Sequence, residues 1–269
     1  MAAHRYPWAG PPARSAWQAR PVQEVWNDAW FGARVLVLAA ATVGLGLWYG
    51  TGLRLFPLWA IARAAVQLSI VALLLRGVLA VPWTAVAFVL LMLSTASVTA
   101  MGRTRDLWRG RQAAVVGVAA GALASLGAIF ALQLADLEAR YVVATGGIII
   151  GNAMSAATLS GRNFLRSARA RASEIEAWLS LGATPAAAHR DIGREAVRES
   201  LIPTLDQSKS TGLVTLPGAF VGALFGGASP AEAAKFQLVV LAGIALAMTV
   251  TGVVVSRMAG RTPYVVADA

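Results

Sequence analysis

Uncharged runs set the pattern of this chain. Val35–Leu53 (19 residues), Gly77–Gly102 (26), Gln112–Ala135 (24), Tyr141–Gly161 (21), Ser210–Ala231 (22) and Phe236–Ser256 (21) contain no Asp, Glu, Lys or Arg. Leu55–Leu75 is a seventh apolar run, interrupted only by Arg63. About 20 apolar residues in a helix cross a hydrocarbon core. The pattern therefore predicts about seven transmembrane helices, an all-α polytopic membrane helix bundle. A β-barrel is excluded, because its strands would alternate apolar and polar in short units. The first run is too long, and too poorly flanked by a cleavage site, for a removable signal peptide. Trp30, Trp48, Trp59, Trp83 and Trp108 stand near run ends. They either sit in the headgroup layer or pack inside the bundle.

Composition agrees with this. Of 269 residues, 57% are apolar and 13% charged, against about 25% charged in a soluble domain. That excludes disorder for most of the chain, and the lack of cysteine excludes a disulfide-built secreted fold. The net charge of +10 would suit nucleic acid, but its placement gives another reading. With the N-terminus outside and seven crossings, fifteen Lys and Arg fall inside and seven outside. This fits the positive-inside rule with a cytoplasmic C-terminus, and no nucleic-acid partner is expected. The N-terminal tail, 1–29, is rich in Pro, Trp and Arg and is expected at the membrane surface or partly disordered. If the first run does not cross, six spans remain. Residues 30–269 are read as a single transmembrane permease domain.

The one large polar segment is 162–209. It reads as a cytoplasmic helix-turn-helix. Ile175, Trp178 and Leu179 recur at i, i+3, i+4, an amphipathic stripe. Gly182 suits the residue after a helix end, where φ is positive. Thr184 and Pro185 supply an N-cap and a first-turn proline. The second helix is expected to end at Pro203. Arg190, Arg194 and Arg198 form one stripe on it, and Asp191, Glu195 and Glu199 the next, with Asp191–Arg194 and Glu195–Arg198 as pairs. These stripes fit a solvated helix. The apolar patch beside the glycine turn suggests protein docking, with a membrane-surface helix as competitor.

Here a resemblance enters. Glu176, Ala177 and Gly182 repeat the Glu-Ala and following Gly of the cytoplasmic coupling loop in ABC-transporter permeases. GNAMSAATL (151–159), SLGAT (180–184), LIPTLDQSKSTGLVTLPGAF (201–220) and GGASPAEAAKFQ (226–237) together resemble the FetB-type (UPF0014) ABC permease family, which is linked to iron export. The resemblance runs from about Arg54 to the C-terminus. It implies a dimeric membrane subunit in the plasma or inner membrane, paired with a separate ATP-binding subunit. Glu176, Ala177, Trp178, Gly182, Ala183 and Thr184 would be the coupling contact. Plant relatives are associated with aluminium tolerance, so the solute is open within the family.

The chain holds no nucleotide machinery. A P-loop needs Gly-Lys, and neither Lys209 nor Lys235 follows glycine. No enzymatic activity and no cofactor of its own are expected; ATP and Mg would belong to the partner. The only histidines, His4 and His189, lie outside the runs. No metal-ligand set is identified, and iron(II) usually takes imidazole, thiolate or carboxylate.

Polar groups inside the runs are the candidates for a path, because charge in hydrocarbon faces the bundle interior. Arg63 and Gln67 share a face, Asn152, Met154 and Ser155 lie in the fifth run, and Asp206 and Lys209 stand three apart before the sixth. The alternatives are interhelical hydrogen bonding for Arg63 and Asn152, and a structural ion pair for Asp206 and Lys209. Gly218, Gly222 and Gly226 repeat every fourth residue, as do Gly117 and Gly121, and Gly147 and Gly151, a spacing that lets helix backbones approach. The expected function is the permease subunit of an ABC transporter, exporting a metal such as iron or another small solute, with membrane lipid around it. The alternatives are a stand-alone secondary transporter or channel, and a membrane scaffold without a path.

Overall fold

The computed structural model describes residues 23–78 and 82–263; most of the 1–29 tail lies outside them. The chain divides into two compact units, 1–75 and 76–269. The first holds α1 (Gln23–Tyr49) and most of α2 (Phe56–Val78). Between them Gly50, Gly52 and Arg54 take positive φ, and Thr51 bonds back to Gly46. A chain that turns this sharply needs left-handed backbone, which glycine supplies without steric cost.

The second unit begins with α3 (Pro82–Arg103), α4 (Gly110–Ala131) and α5 (Ala139–Ala170). Then come α6 (Ala172–Ser180), α7 (Pro185–Ala188), α8 (Arg190–Lys209), α9 (Gly218–Phe225) and α10 (Pro230–Ala259). Its core is the mutual packing of α4, α5 and α10, with α3 laid against α4 and α5. Val118, Ile149, Phe164, Met248 and Val255 fill it.

Two glycine faces set how closely these helices approach. A Cβ on Gly121 would lie 2.5 Å from the Ala247 carbonyl oxygen and clash with Thr251 Oγ1, and one on Gly117 would meet Val255 at 2.9 Å. On α10, a Cβ on Gly243 would strike Ile129 and Ile149. The approach permits two buried interhelical bonds. Thr251 Oγ1 donates to the Gly117 carbonyl (3.0 Å) and Ser125 Oγ to that of Gly243 (2.8 Å). Such bonds contribute about 0.6–2 kcal/mol each in membrane proteins. The Gly117–Gly121 pair thus packs helices as its spacing suggests. Of the other expected pair, Gly147 faces Met92, whereas a Cβ on Gly151 would meet nothing.

Six helices among the described residues are long and apolar enough to cross a membrane: Trp30–Tyr49, Phe56–Leu75, Trp83–Arg103, Gly110–Ala131, Ala139–Ala170 and Pro230–Ala259. The remaining run, Ser210–Ala231, differs from expectation. It is not one helix. Gly212 (φ +93°) and Pro217 interrupt its first half, and only Gly218–Phe225 is helical before Gly227 (φ +92°) ends it. Its apolar composition hides these breaks.

Gly121→Leu should force α4 from α10 and destabilise by on the order of 3 kcal/mol. Gly127, whose added Cβ meets nothing, is the control. Thermal unfolding in detergent should separate them, with Gly127→Leu near wild type.

Candidate functional site

α5 has 32 residues, about 48 Å of helix, while a hydrocarbon core takes about 30 Å. The charge-free part ends at Gly161, so the stretch beginning at Arg162 overhangs. At its end Arg171 makes the corner. Its guanidinium grips Glu174 through two bonds of 2.7 Å and reaches Glu195 of α8 at 3.4 Å. Glu195 therefore pairs across helices and not with Arg198, as local spacing suggested. Asp191 and Arg194 do pair, at 3.2 Å. The Arg171 bond holds the Glu174 carboxyl below the usual carboxylate range and raises Arg171 above its ordinary value.

α6 buries one face and offers the other. Ile175 is fully buried and Leu179 packs on the core. Trp178 is 51% exposed, Leu181 is 82% exposed, and Glu176 and Ala177 are exposed between. Gly182 (φ +86°) ends the helix. The Ala183 N–H bonds the Trp178 carbonyl and the Gly182 N–H that of Leu179, both at 3.0 Å. This is the paired 6→1 and 5→2 closure of a Schellman turn. Thr184 then caps α7, accepting from the Ala187 N–H, with Pro185 in its first turn. The sequence reading of this turn holds, although α7 is one short turn and α8 begins separately.

Beneath the elbow, His189 is buried. Its Nδ1 lies 2.8 Å from the Pro185 carbonyl oxygen, its ring stacks on Phe164 of α5, and its Nε2 meets no partner among the described residues. The elbow is thus tied to α5 by Arg171, Ile175 and His189 at once.

α8 then returns along α10 in the antiparallel sense. A Cβ on Gly260 would lie 3.4 Å from that of His189, one on Gly193 would lie 3.5 Å from that of Ser256, and one on Gly252 would touch Val197 at 3.4 Å. Each contact advances one turn on both helices. Ser160 of α5 joins by a 3.0 Å bond to Ser200. Pro203 does not end α8, which continues to Lys209. Asp206 and Lys209 lie beyond Pro203 and are exposed. After the irregular 210–217, α9 packs on the N-terminal half of α10, where the Phe220 N–H donates to Gln237 Oε1 (3.1 Å). α8 and α9 are separated by an irregular segment, and neither is among the helices long and apolar enough to cross a membrane.

The other expected path residues fall as follows. Asn152 and Ser155 are half-buried on α5, bonded to their own helix at Ile148 and Gly151, with Met154 between them. Asp206 and Lys209 form a 2.8 Å ion pair. Arg63 and Gln67 are exposed on α2, in the first unit. A Cβ on Gly218 or Gly222 would meet nothing, and one on Gly226 only the carbonyls of its own turn. These glycines pack against no neighbouring helix in a single chain. Among the described residues, no group of three His, Cys, Asp or Glu could hold a metal ion. The sequence reading missed the break itself. Gly212, Pro217 and Gly226–Gly227 within one run were its signal.

A family model described as Uncharacterised protein family (UPF0014) matches residues 31–264. The chain belongs to this family. The UPF0014 membrane protein STAR2 of Oryza sativa subsp. japonica is 32% identical over 80% of this chain and 76% of its own length. Protein ALUMINUM SENSITIVE 3 of Arabidopsis thaliana is 31% identical, covering 82% of both chains. The Probable iron export permease protein FetB of Escherichia coli (strain K12) is 32% identical over 68% of this chain and 71% of its own. No solved structure matches. With six candidate spans, this UPF0014 member is a multi-pass membrane protein.

Two outcomes follow for the elbow. Gly182→Val puts a β-branched residue at positive φ, costing at least about 1–2 kcal/mol locally, and should speed hydrogen exchange at the Gly182 and Ala183 positions. Because the folded Glu174 carboxyl is held low, its contribution is present above the usual carboxylate range and lost as pH falls through its folded value. Protection at the start of α6, with the intrinsic pH dependence of amide exchange divided out, should fall on acidification in wild type and be low at every pH in Glu174→Gln.

Proposed function

We propose that this chain is the membrane-spanning subunit of an ABC exporter, driven by a separate ATP-binding subunit. One observation carries this reading: α6 exposes Trp178 and Leu181 at a turn tied to α5 and α8 by Arg171. A large apolar side chain on a rigid turn outside the membrane is the anatomy of an interface hot spot. Glu176, Ala177, Trp178, Gly182, Ala183 and Thr184 form the contact. ATP and Mg bind the partner, and this chain carries no hydrolytic residues. By the positive-inside bias of its arginines we read the elbow and C-terminus as cytoplasmic and the N-terminus as outside the plasma or inner membrane.

The partner must grip the elbow differently in its two nucleotide states, or it drives nothing. The elbow shifts the overhang of α5 and the start of α8. Because the segment between α8 and α9 is irregular, that shift opens or closes a gap beside Asp206 and Lys209. The solute passes there, with Asn152 and Ser155 on α5 as further polar contacts. A second copy of the chain covers Gly218 and Gly222 of α9, giving a homodimer. The reading of a metal as solute rests on the name of the FetB relative. A hydrated or chelated metal, or another small solute, suits a gap lined by hydroxyls, one carboxylate and one ammonium. The break within 210–231 also favours a second reading, a stand-alone secondary transporter, since discontinuous helices are common there.

Trp178→Ala should weaken pairing with the ATP-binding subunit by about 30-fold, the effect of a hot spot of about 2 kcal/mol. Glu176→Lys should lower stimulated ATP hydrolysis at unchanged thermal stability. Both are read from co-purification and ATPase assays. Full ATP-dependent transport by both variants would remove the elbow from the mechanism.

A further inference from the structure

A second charged feature lies away from the elbow turn and the irregular segment after α8, at the turn from α3 to α4. Its backbone is fixed by two successive tight turns. The Leu107 N–H bonds Thr104 (3.1 Å) and the Gly110 N–H bonds Leu107 (3.0 Å). The buried Thr104 hydroxyl bridges the carbonyls of Ala100 and Gly110, at 3.0 Å each. Arg109 is held at positive φ to start α4. The turn seats on α5 at Gly161, where a Cβ would meet Leu107 at 2.7 Å and Thr104 at 3.2 Å.

That seating leaves a cleft of about 320 Å³ between the turn and α5, lined among others by Arg103, Arg105, Asp106, Arg162 and Leu165. Arg105 meets Asp106 at 3.6 Å, both largely exposed. Arg103 and Arg162 make no ion pair or side-chain hydrogen bond among the described residues, and both are exposed. With the cleft's one carboxylate, Asp106, meeting Arg105, the two arginines left without an ion-pair partner form a site for an anion, and the guanidinium fork fits phosphate oxygens in particular.

Depth and neighbours select the source of that phosphate. Arg103 is the last residue of α3 and Gly110 the first of α4, so the cleft opens at the mouth of two crossings, at headgroup level. On α3, Leu91 and Val98 are exposed on the face that ends at Gly102, a cleft residue. On α5, Leu159 is exposed one turn before Arg162. A bare phosphate needs no apolar track beside it, whereas an acyl chain does. Basic pockets between transmembrane helices on the cytoplasmic side are where anionic headgroups settle. We propose that the cleft between the α3–α4 turn and α5 binds the phosphate of an anionic phospholipid through Arg103 and Arg162, with its acyl chains against Leu91, Val98 and Leu159.

The test uses the full chain in nanodiscs of phosphatidylcholine mixed with phosphatidylglycerol. Native mass spectrometry reads retained phosphatidylglycerol relative to phosphatidylcholine. Each arginine near the surface contributes about fivefold, so Arg103→Gln with Arg162→Gln should lower the preference by about 25-fold. Lysine at both positions should keep most of it. Arg257→Gln, exposed at the end of α10, controls for general surface charge and should lower the preference by no more than about fivefold. Any loss of fold in the glutamine variant shows in its circular dichroism, and the lysine variant then carries the comparison against Arg257→Gln. An unchanged preference in the folded glutamine variant would overturn the site. The lipid assignment would also fall if inorganic phosphate stabilised wild type thermally, the glutamine variant lost that stabilisation, and its lipid preference stayed whole.

Discussion

The second unit depends on how closely α4 and α10 approach. Gly117 and Gly121 leave no side chain between the backbones, so Thr251 and Ser125 can each donate across to the carbonyl of the facing helix. Lipid tails are as apolar as the core, so burying leucine between helices gains little there. Close packing and such bonds must hold the bundle. Ile149 of α5 then seats over Gly243, and three helices become one block.

A block of this kind has a mechanical consequence. α5 leaves it as a continuous helix, overhangs the membrane and ends at the Arg171 corner. Helix interiors bend at named causes, proline and Gly/Ser pairs among them; α5 contains no proline, and its Ser160–Gly161 pair lies where Leu107 and Thr104 seat. In the proposed coupling, displacement of the elbow acts on both α5 and α8, and of the two only α8 contains a proline, Pro203.

Much of this was legible in the residues. Six of the seven apolar runs marked helices long enough to cross a membrane, Gly182 with Thr184 and Pro185 marked the elbow turn, and Gly117 with Gly121 marked the tight contact. What was hidden was long-range. Leu213, Val214 and Leu216 make 210–231 look like a span by composition, and only Gly212, Pro217 and Gly226–Gly227 within it mark the break. Pro203 reads as a helix end, yet α8 packs on α5 and α10 on both sides of the turns before it and continues past it. Glu195 has a suitable local partner in Arg198, but the corner brings Arg171 to it. Arg103 and Arg162 are 59 positions apart, so only the seating of Leu107 on Gly161 brings them to one cleft.

The central claim is that the motion begins in a separate ATP-hydrolysing subunit. The most direct measurement is accumulation of ferrous iron in proteoliposomes, with this chain alone and with its ATP-binding subunit added. A coupled permease gives no uphill accumulation alone, under any imposed ion gradient, and ATP-dependent accumulation with both subunits. Gradient-driven uphill accumulation by this chain alone would contradict it.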